Sequence, residues 1–350
     1  MGLTLGELNP YTAKRKTFGR KEMATTEPQH LSLVADIGGT HARFALVGPC
    51  DERPSASLTF KVSDFPSLTS AILAYLETTD LPEAQRPRCA CLAIAGPTGL
   101  DRVNITNNGW SFSQQALKQT LGLEQLRVIN DFTAQAYAAP LLAPNELVSI
   151  GGGKSVNGKP IAVLGPGTGL GVGGLVFSGT SPIALFSEGG HVDFAPGDEL
   201  EAEVLRYLWQ RYDHVSAERL LCGSGLVNLY EALAAIHGTH NSARSAVAIT
   251  EAALNNSDPL CRESVELFCA MLGSLAGNTA LTLGARGGVY IAGGIVPKIL
   301  DLFLTSRFRA RFESKGRFQG YLASIPTRVV IAEHPGLLGA ANALRQQTQP

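Results

Sequence analysis

The sequence predicts an α/β protein that binds phosphate, and three observations carry that expectation. Continuous apolar runs of strand length, such as Cys89–Gly96 and Gly287–Gly294, alternate with helical patterns such as Phe65–Leu76 and Glu199–Tyr212. Two strand–turn–strand units carry glycine turns, one around Gly38-Gly39-Thr40 and one across Gly165–Gly174. A short strand ends in Asn130-Asp131 directly before a helical pattern, and the carboxyl ends of strands are where α/β sheets place catalytic groups.

Composition narrows the class. The chain has 350 residues, enough for two domains, and its 45% hydrophobic and 17% charged residues describe a globular protein. A formal net charge of −1 gives no basic excess for nucleic acid or an anionic membrane. The six cysteines, Cys50, Cys89, Cys91, Cys222, Cys261 and Cys269, lack paired metal spacing and fit a reducing, cytoplasmic setting. Residues 267–283 carry no charge, but Gly273, Ser274, Gly277, Asn278 and Thr279 interrupt them, so the segment reads as the end of a buried helix. Residues 1–27 are polar and basic with no apolar core segment, which predicts a disordered extension and no signal peptide; Met23 is a second candidate start.

The elements follow in order. Leu31–Asp36 and His41–Val47 read as strands of a hairpin. Asp36, at the inner end of the first, is either a turn aspartate or a carboxylate facing Mg²⁺ beside phosphates. Phe65–Leu76 reads as a helix, Cys89–Gly96 as a central parallel strand, and Ser113 as the cap of a helix through Leu121. Thr106–Trp110 is a polar turn. Arg127–Asn130 is a strand, and Asp131 is either a catalytic carboxylate or the cap of the helix that follows. Pro140–Pro144 reads as a linker.

Ile161–Gly174 leads into a further strand at Leu175–Phe177, and its glycines suit either a phosphate cradle or a tight hairpin. Gly169-x-Gly171-x-x-Gly174 matches the dinucleotide fingerprint in letters, yet no helix pattern follows it. Gly153-Lys154-Ser155 lacks the earlier glycine of a P-loop, since Val148 stands there. Glu188, His191 and Asp193 cluster around a glycine pair; without His-x-x-x-His spacing they suit a polyol better than a metal. Glu199–Tyr212, Leu226–Ile236 and Pro259–Leu283 read as helices. Glu218 lies in the first turn of a short helix if Ser216 caps it, as a ligand or as a dipole-favoured surface group. Gly287–Gly294 is a buried strand ending in Gly293-Gly294, either seating an adenosine or packing closely, with a helix beginning near Pro297. Pro326–Ala332 closes as a strand and Gly336–Arg345 as a small-residue helix.

Together these stretches resemble the sugar-kinase/hexokinase/actin-like ATPase superfamily: Asp36–Thr40 and Gly165–Gly173 as phosphate hairpins, Gly287–Gly294 as the adenosine segment. Ile129–Thr133, Gly189–Pro196, His214–Arg219, Gly225–Tyr230 and Pro335–Gly339 are similar to the bacterial glucokinase family of proteobacterial type, and the resemblance runs over residues 31–346.

The resemblance implies two RNase H-like domains around an interdomain cleft. The small domain would be 28–141 plus 333–350 and the large one 142–332. It implies transfer of the γ-phosphoryl group of ATP, with Mg²⁺, to the 6-hydroxyl of glucose, the first step of glycolysis, in a cytoplasmic homodimer. Asp131 would be the base; Asn130, Glu188, His191 and Glu218 would bind the sugar; Asp36, Gly38, Gly39, Thr40, Gly167, Thr168, Gly169, Gly293 and Gly294 would bind the nucleotide. No cysteine cluster follows His191, so the zinc motif of the related repressor/kinase group is not expected. Another hexose kinase of this fold, such as a fructokinase, is one rival. A non-catalytic sugar-responsive regulator is the other, although residues 1–27 lack a helix-turn-helix pattern.

Overall fold

The computed structural model describes residues 30–106, 108–239 and 244–347. The extension expected at 1–27 lies outside them. The first sheet takes β1 (Ser32–Ile37), β2 (His41–Val47), β3 (Ser55–Lys61), β4 (Cys89–Ile94) and β7 (Gln125–Asn130) in the order β3-β2-β1-β4-β7. A small ribbon pairs β5 (Arg102–Asn104) with β6 (Ser111–Ser113). The second sheet has β8 (Leu147–Ile150), β9 (Ile161–Pro166), β10 (Leu170–Ser178), β11 (Ser181–Leu185), β12 (Gly288–Ile291) and β13 (Thr327–Val330), in the order β11-β10-β9-β12-β13-β8. In both sheets two antiparallel hairpin pairings are followed by two parallel ones, β1–β4–β7 and β9–β12–β13. The unit is therefore duplicated, as the RNase H-like expectation requires.

The helices are α1 (Leu68–Thr78), α2 (Gln114–Thr120), α3 (Asp131–Ala138), α4 (Glu199–Leu208), α5 (Gly223–Ile236), α6 (Ala246–Leu254), α7 (Pro259–Leu283), α8 (Leu300–Thr305), α9 (Phe308–Glu313), α10 (Gln319–Ala323) and α11 (Pro335–Gln347). Strand β1 buries both faces, which is why it reads as an unbroken apolar run. Leu33, Ala35 and Ile37 face a core with Phe44, Ile72 and Tyr75; Val34 faces a second core shared with α3 and α11. That second core also takes Ile161, Val163, Leu175 and Ala292, so α3 and α11 lie between the two sheets. The helices can come this close because their residues are small: a Cβ on Gly339 of α11 would stand 1.8 Å from the Ala134 carbonyl oxygen of α3. The far face of the second sheet carries the largest core, from Leu164 and Val172 to α5, α7 and α9.

Helix α7 is long and apolar enough to cross a membrane, but Leu267, Phe268, Met271 and Leu272 are buried in that core. Asp258 caps its start and Gly284, left-handed at φ 61°, ends it. An ion pair is also sealed inside: fully buried Glu201 lies 2.7 Å from Arg311 Nη1 and accepts from its Nη2 at 2.9 Å.

Several boundaries differ from expectation. Helix α1 starts at Leu68, because Ser67 caps it, and α4 ends at Leu208. Helix α5 begins three residues early, at Gly223. Ser216 precedes the short 3₁₀ turn Ala217–Arg219 but its side chain makes no capping bond.

Candidate active site

Asp131 is the first residue of α3 and sits where β7 ends. It does not cap the helix. Asn130 does, its Oδ1 accepting from the backbone N–H of Phe132 at 2.8 Å and of Thr133 at 3.4 Å. This leaves the Asn130 amide donor, which makes only a 3.4 Å contact with the Gly96 carbonyl. Burial pushes the Asp131 carboxyl up to about 6, and the negative charges of Asp36 and Glu188 push in the same direction. The N–H of Phe132 opposes them by donating to Asp131 Oδ1 at 3.0 Å.

Asp36 occupies the face of β1 that looks toward α11. A Cβ on Gly336 would stand 2.7 Å from its Oδ2, so only glycine lets the start of α11 approach the carboxylate. Burial raises the Asp36 carboxyl above its ordinary value, against the pull of Arg43 and His334; Arg43 Nη1 lies 3.6 Å from Oδ2. Arg43 Nε and His334 Nδ1 are buried without hydrogen-bond partners beside this group. Arg43, His334 and Gly336 escaped the sequence reading: the first two sit in unremarkable surroundings, and the glycine looked like one more small residue of a packed helix.

Each sheet contributes a glycine hairpin. In the first, Gly38 N–H donates to His41 at 2.9 Å, and Asn108 Nδ2 holds the Gly38 carbonyl at 3.1 Å. In the second, Gly167 N–H donates to the Gly169 carbonyl at 2.8 Å, while the Gly167 carbonyl accepts from Gly223 at the start of α5 at 2.9 Å. Thr40 and Thr168 are exposed at the turns. Gly293, at φ +83°, passes so close to Pro166 that a Cβ would lie 2.5 Å from its carbonyl oxygen, whereas Gly294 faces open space. Close packing thus holds for the first glycine of this pair.

The glycine density of β9–β10 has a second cause besides the turn. Gly165 and Gly171 are cross-strand partners, and a Cβ on either would fall on the Phe132 ring, at 2.3 and 1.9 Å. These two positions serve packing; the turn at Gly167–Gly169 remains open for a cradle.

His191 and Glu218 are brought together by a bridge not visible in sequence. Phe194 N–H donates to Val215 at 3.0 Å and Ala217 N–H to Val192 at 2.9 Å, pairing the two segments antiparallel. Glu218 Oε1 then lies 3.9 Å from His191 Nδ1, and Oε2 accepts from the Leu170 N–H at 2.8 Å. Glu218 therefore touches the second hairpin as well as the histidine. Gly190 allows this turn to dock, since a Cβ there would meet the Leu170 carbonyl at 2.0 Å. Glu188 is exposed at the same turn, and its charge is felt by Asp131. Asp193 points elsewhere and pairs with His214 Nε2 at 2.9 Å.

Asp36 and Glu188 thus lie close enough for their charges to act on Asp131, and the histidine–glutamate turn touches the second glycine hairpin. The Glucokinase family model matches residues 33–347. A glucokinase of Neisseria meningitidis serogroup C is 51% identical over 313 residues, covering 89% of this chain and 94% of the relative. The crystal structure of a glucokinase from an Antarctic psychrotroph superposes with a TM-score of 0.83 at 41% identity, over 90% of this chain and 98% of that one. A ROK family glucokinase from Streptomyces griseus, in complex with glucose and AMPPNP, shares the fold at a TM-score of 0.60 and 19% identity, covering 90% and 99%. The duplicated α/β unit is that of the actin-like ATPase and sugar-kinase fold, and the chain belongs to the glucokinase family.

Proposed function

We propose that this chain transfers the γ-phosphoryl group of ATP to the 6-hydroxyl of glucose, with Asp131 as the base. The observation that carries the assignment is the placing of the Asp131 carboxylate where β7 ends and α3 begins, beside the Asn130 amide and within reach of the charges of Asp36 from β1 and Glu188 from the other lobe; burial raises it to about 6. A carboxylate in that range is ionised at neutral pH yet basic enough to take the proton of an attacking hydroxyl. As O6 attacks the γ-phosphorus, its proton passes to Asp131, the bond to the β-bridging oxygen breaks, and ADP leaves with that electron pair. The bound glucose and AMPPNP of the Streptomyces griseus relative support the pair of substrates.

In this reading the Asn130 amide donates to a sugar hydroxyl while Glu188 and Glu218 accept from others, and His191 completes the set. Such a set discriminates hydroxyl configuration, because a misplaced hydroxyl leaves a buried polar group unpaired. Gly38, Gly39, Thr40, Gly167, Thr168 and Gly169 would line the phosphates and Gly294 the adenosine. The donor set fits Mg²⁺ held mainly by phosphate oxygens and water: Asp36 offers a hard carboxylate, and no cluster of three metal-binding side chains occurs among the described residues. When bound, Mg²⁺ neutralises charge on the transferring phosphoryl group.

The division into lobes at 28–141 plus 333–350 and 142–332 belongs to the same proposal, with closure between them excluding water. So do homodimeric assembly, a cytoplasmic site of action and the first step of glycolysis. An ADP-coupled assay with glucose, fructose and mannose tests the function. Turnover with glucose at the highest kcat/KM supports it; a preference for fructose, or ATP hydrolysis without sugar dependence, overturns it.

A further inference from the structure

We propose that Phe132 is a positioning residue that sets Asp131 at the correct distance from the second phosphate hairpin, a role that rests on the reading of Asp131 as the base. Its backbone and its ring are tied to different halves of the site. The backbone N–H donates to Asn130 Oδ1 and to Asp131 Oδ1, so it restrains both side chains at the end of β7. The ring leaves this sheet altogether and enters a slot in the other one.

The slot is built by paired glycines. Gly165 on β9 and Gly171 on β10 stand opposite each other, and the ring occupies the space both Cβ atoms would take. Gly173, on the same face of β10, passes the Phe132 carbonyl oxygen, where a Cβ would lie 3.3 Å away. Gly165 and Gly171 lie two residues from Gly167 and Gly169, the ends of the hairpin turn. A rigid aromatic plate thus runs from the residue next to the base to the root of the phosphate turn. Phosphoryl transfer depends on alignment of hydroxyl, base and phosphorus more than on covalent help, so an error of about 1 Å in this spacing is costly.

The slot also explains why a general apolar residue does not suffice. A leucine fills the inner part of the space but does not reach as far as the ring atoms near Gly165. Phe132→Leu keeps most of the packing while loosening the spacing, and Gly171→Ala attacks the same contact from β10 without changing any residue of α3.

The test measures Phe132→Leu, Gly171→Ala and Asp131→Asn side by side, with folding checked by thermal melting and glucose binding by calorimetry. The expected result for Phe132→Leu and Gly171→Ala is a kcat lower by about ten- to a hundredfold. Glucose affinity should stay within about threefold of the unmodified enzyme, because no sugar ligand is replaced and the Asn130 cap bonds come from backbone N–H groups and are kept. If Asp131→Asn is inactive while both slot variants keep kcat within about threefold, the base reading stands and the positioning role is overturned. If Asp131→Asn remains active, the base reading fails, and the positioning role fails with it. A loss in the slot variants that only follows the fraction of folded protein also overturns the proposal. Should Gly171→Ala not fold, Phe132→Leu decides alone.

Discussion

Replacing Asp131 with asparagine should make the protein slower and more stable at once. The shape is kept and the charge removed. Loss of the base lowers kcat by about 10²–10⁴-fold. The stability gain follows from the raised carboxyl. A group with an ordinary value of 3.8 that titrates at about 6 in the fold resists ionisation there, at a cost of up to ~3 kcal/mol at neutral pH. The sign is fixed by the direction of that change. Because the folded value is raised, the favourable contribution is present below pH 3.8 and is lost as pH rises through about 6. The asparagine variant should therefore melt a few degrees higher at pH 8, by roughly 2–4 °C per kcal/mol, and show no advantage near pH 4. In the unmodified enzyme kcat/KM should fall tenfold per pH unit below about 6. Coupled assays and melts across pH 4–8 read all three effects. Activity within threefold of the unmodified enzyme, or a variant less stable at pH 8, would refute the reasoning.

Other substitutions separate the parts of the site. Glu188→Gln removes a charged acceptor worth roughly 1.5–3 kcal/mol, so the glucose KM should rise about ten- to a hundredfold with the ATP KM little changed; an unchanged glucose KM removes Glu188 from the sugar site. Gly336→Ala drives a methyl group to 2.7 Å from Asp36 Oδ2 and should lower kcat by about tenfold while glucose still binds. Normal turnover there would show that the Asp36 position is not critical. Arg311→Met leaves the buried Glu201 charge without its cation, with the Gly197 N–H still donating to it, and should cost about 3–5 kcal/mol in urea unfolding; a loss below 1 kcal/mol would show that the pair contributes little.

Much of this was legible from residues alone, and the gaps have physical causes. Central strands such as β4 announced themselves because both faces are buried, and α7 did so by its long uncharged stretch. Edge strand β3 did not: six of its seven residues are exposed, so Ser55–Lys61 carries no apolar alternation to detect. Strands β8 and β11 are also sheet edges, and at four and five residues they are too short to show a clear period. At the site, chemistry-bearing residues next to glycine or at strand ends could be picked out, as Asp36, Asp131 and Glu218 were. What depends on chain segments meeting in space could not. The antiparallel bridge that carries His191 to Glu218 joins segments more than twenty residues apart, and neither has strand length. The Phe132 slot could not be seen because a glycine needed for a ring and a glycine needed for a phosphate look identical in sequence.

The most direct test of the account is the position of the transferred phosphoryl group. Phosphorus NMR of the product from ATP and glucose labelled with carbon-13 at C6 reads it in one spectrum. The expected result is a phosphomonoester signal split by that carbon, growing about 10²–10⁴-fold more slowly when Asp131→Asn replaces the unmodified enzyme. An unsplit ester signal, or inorganic phosphate as the only product, would contradict it.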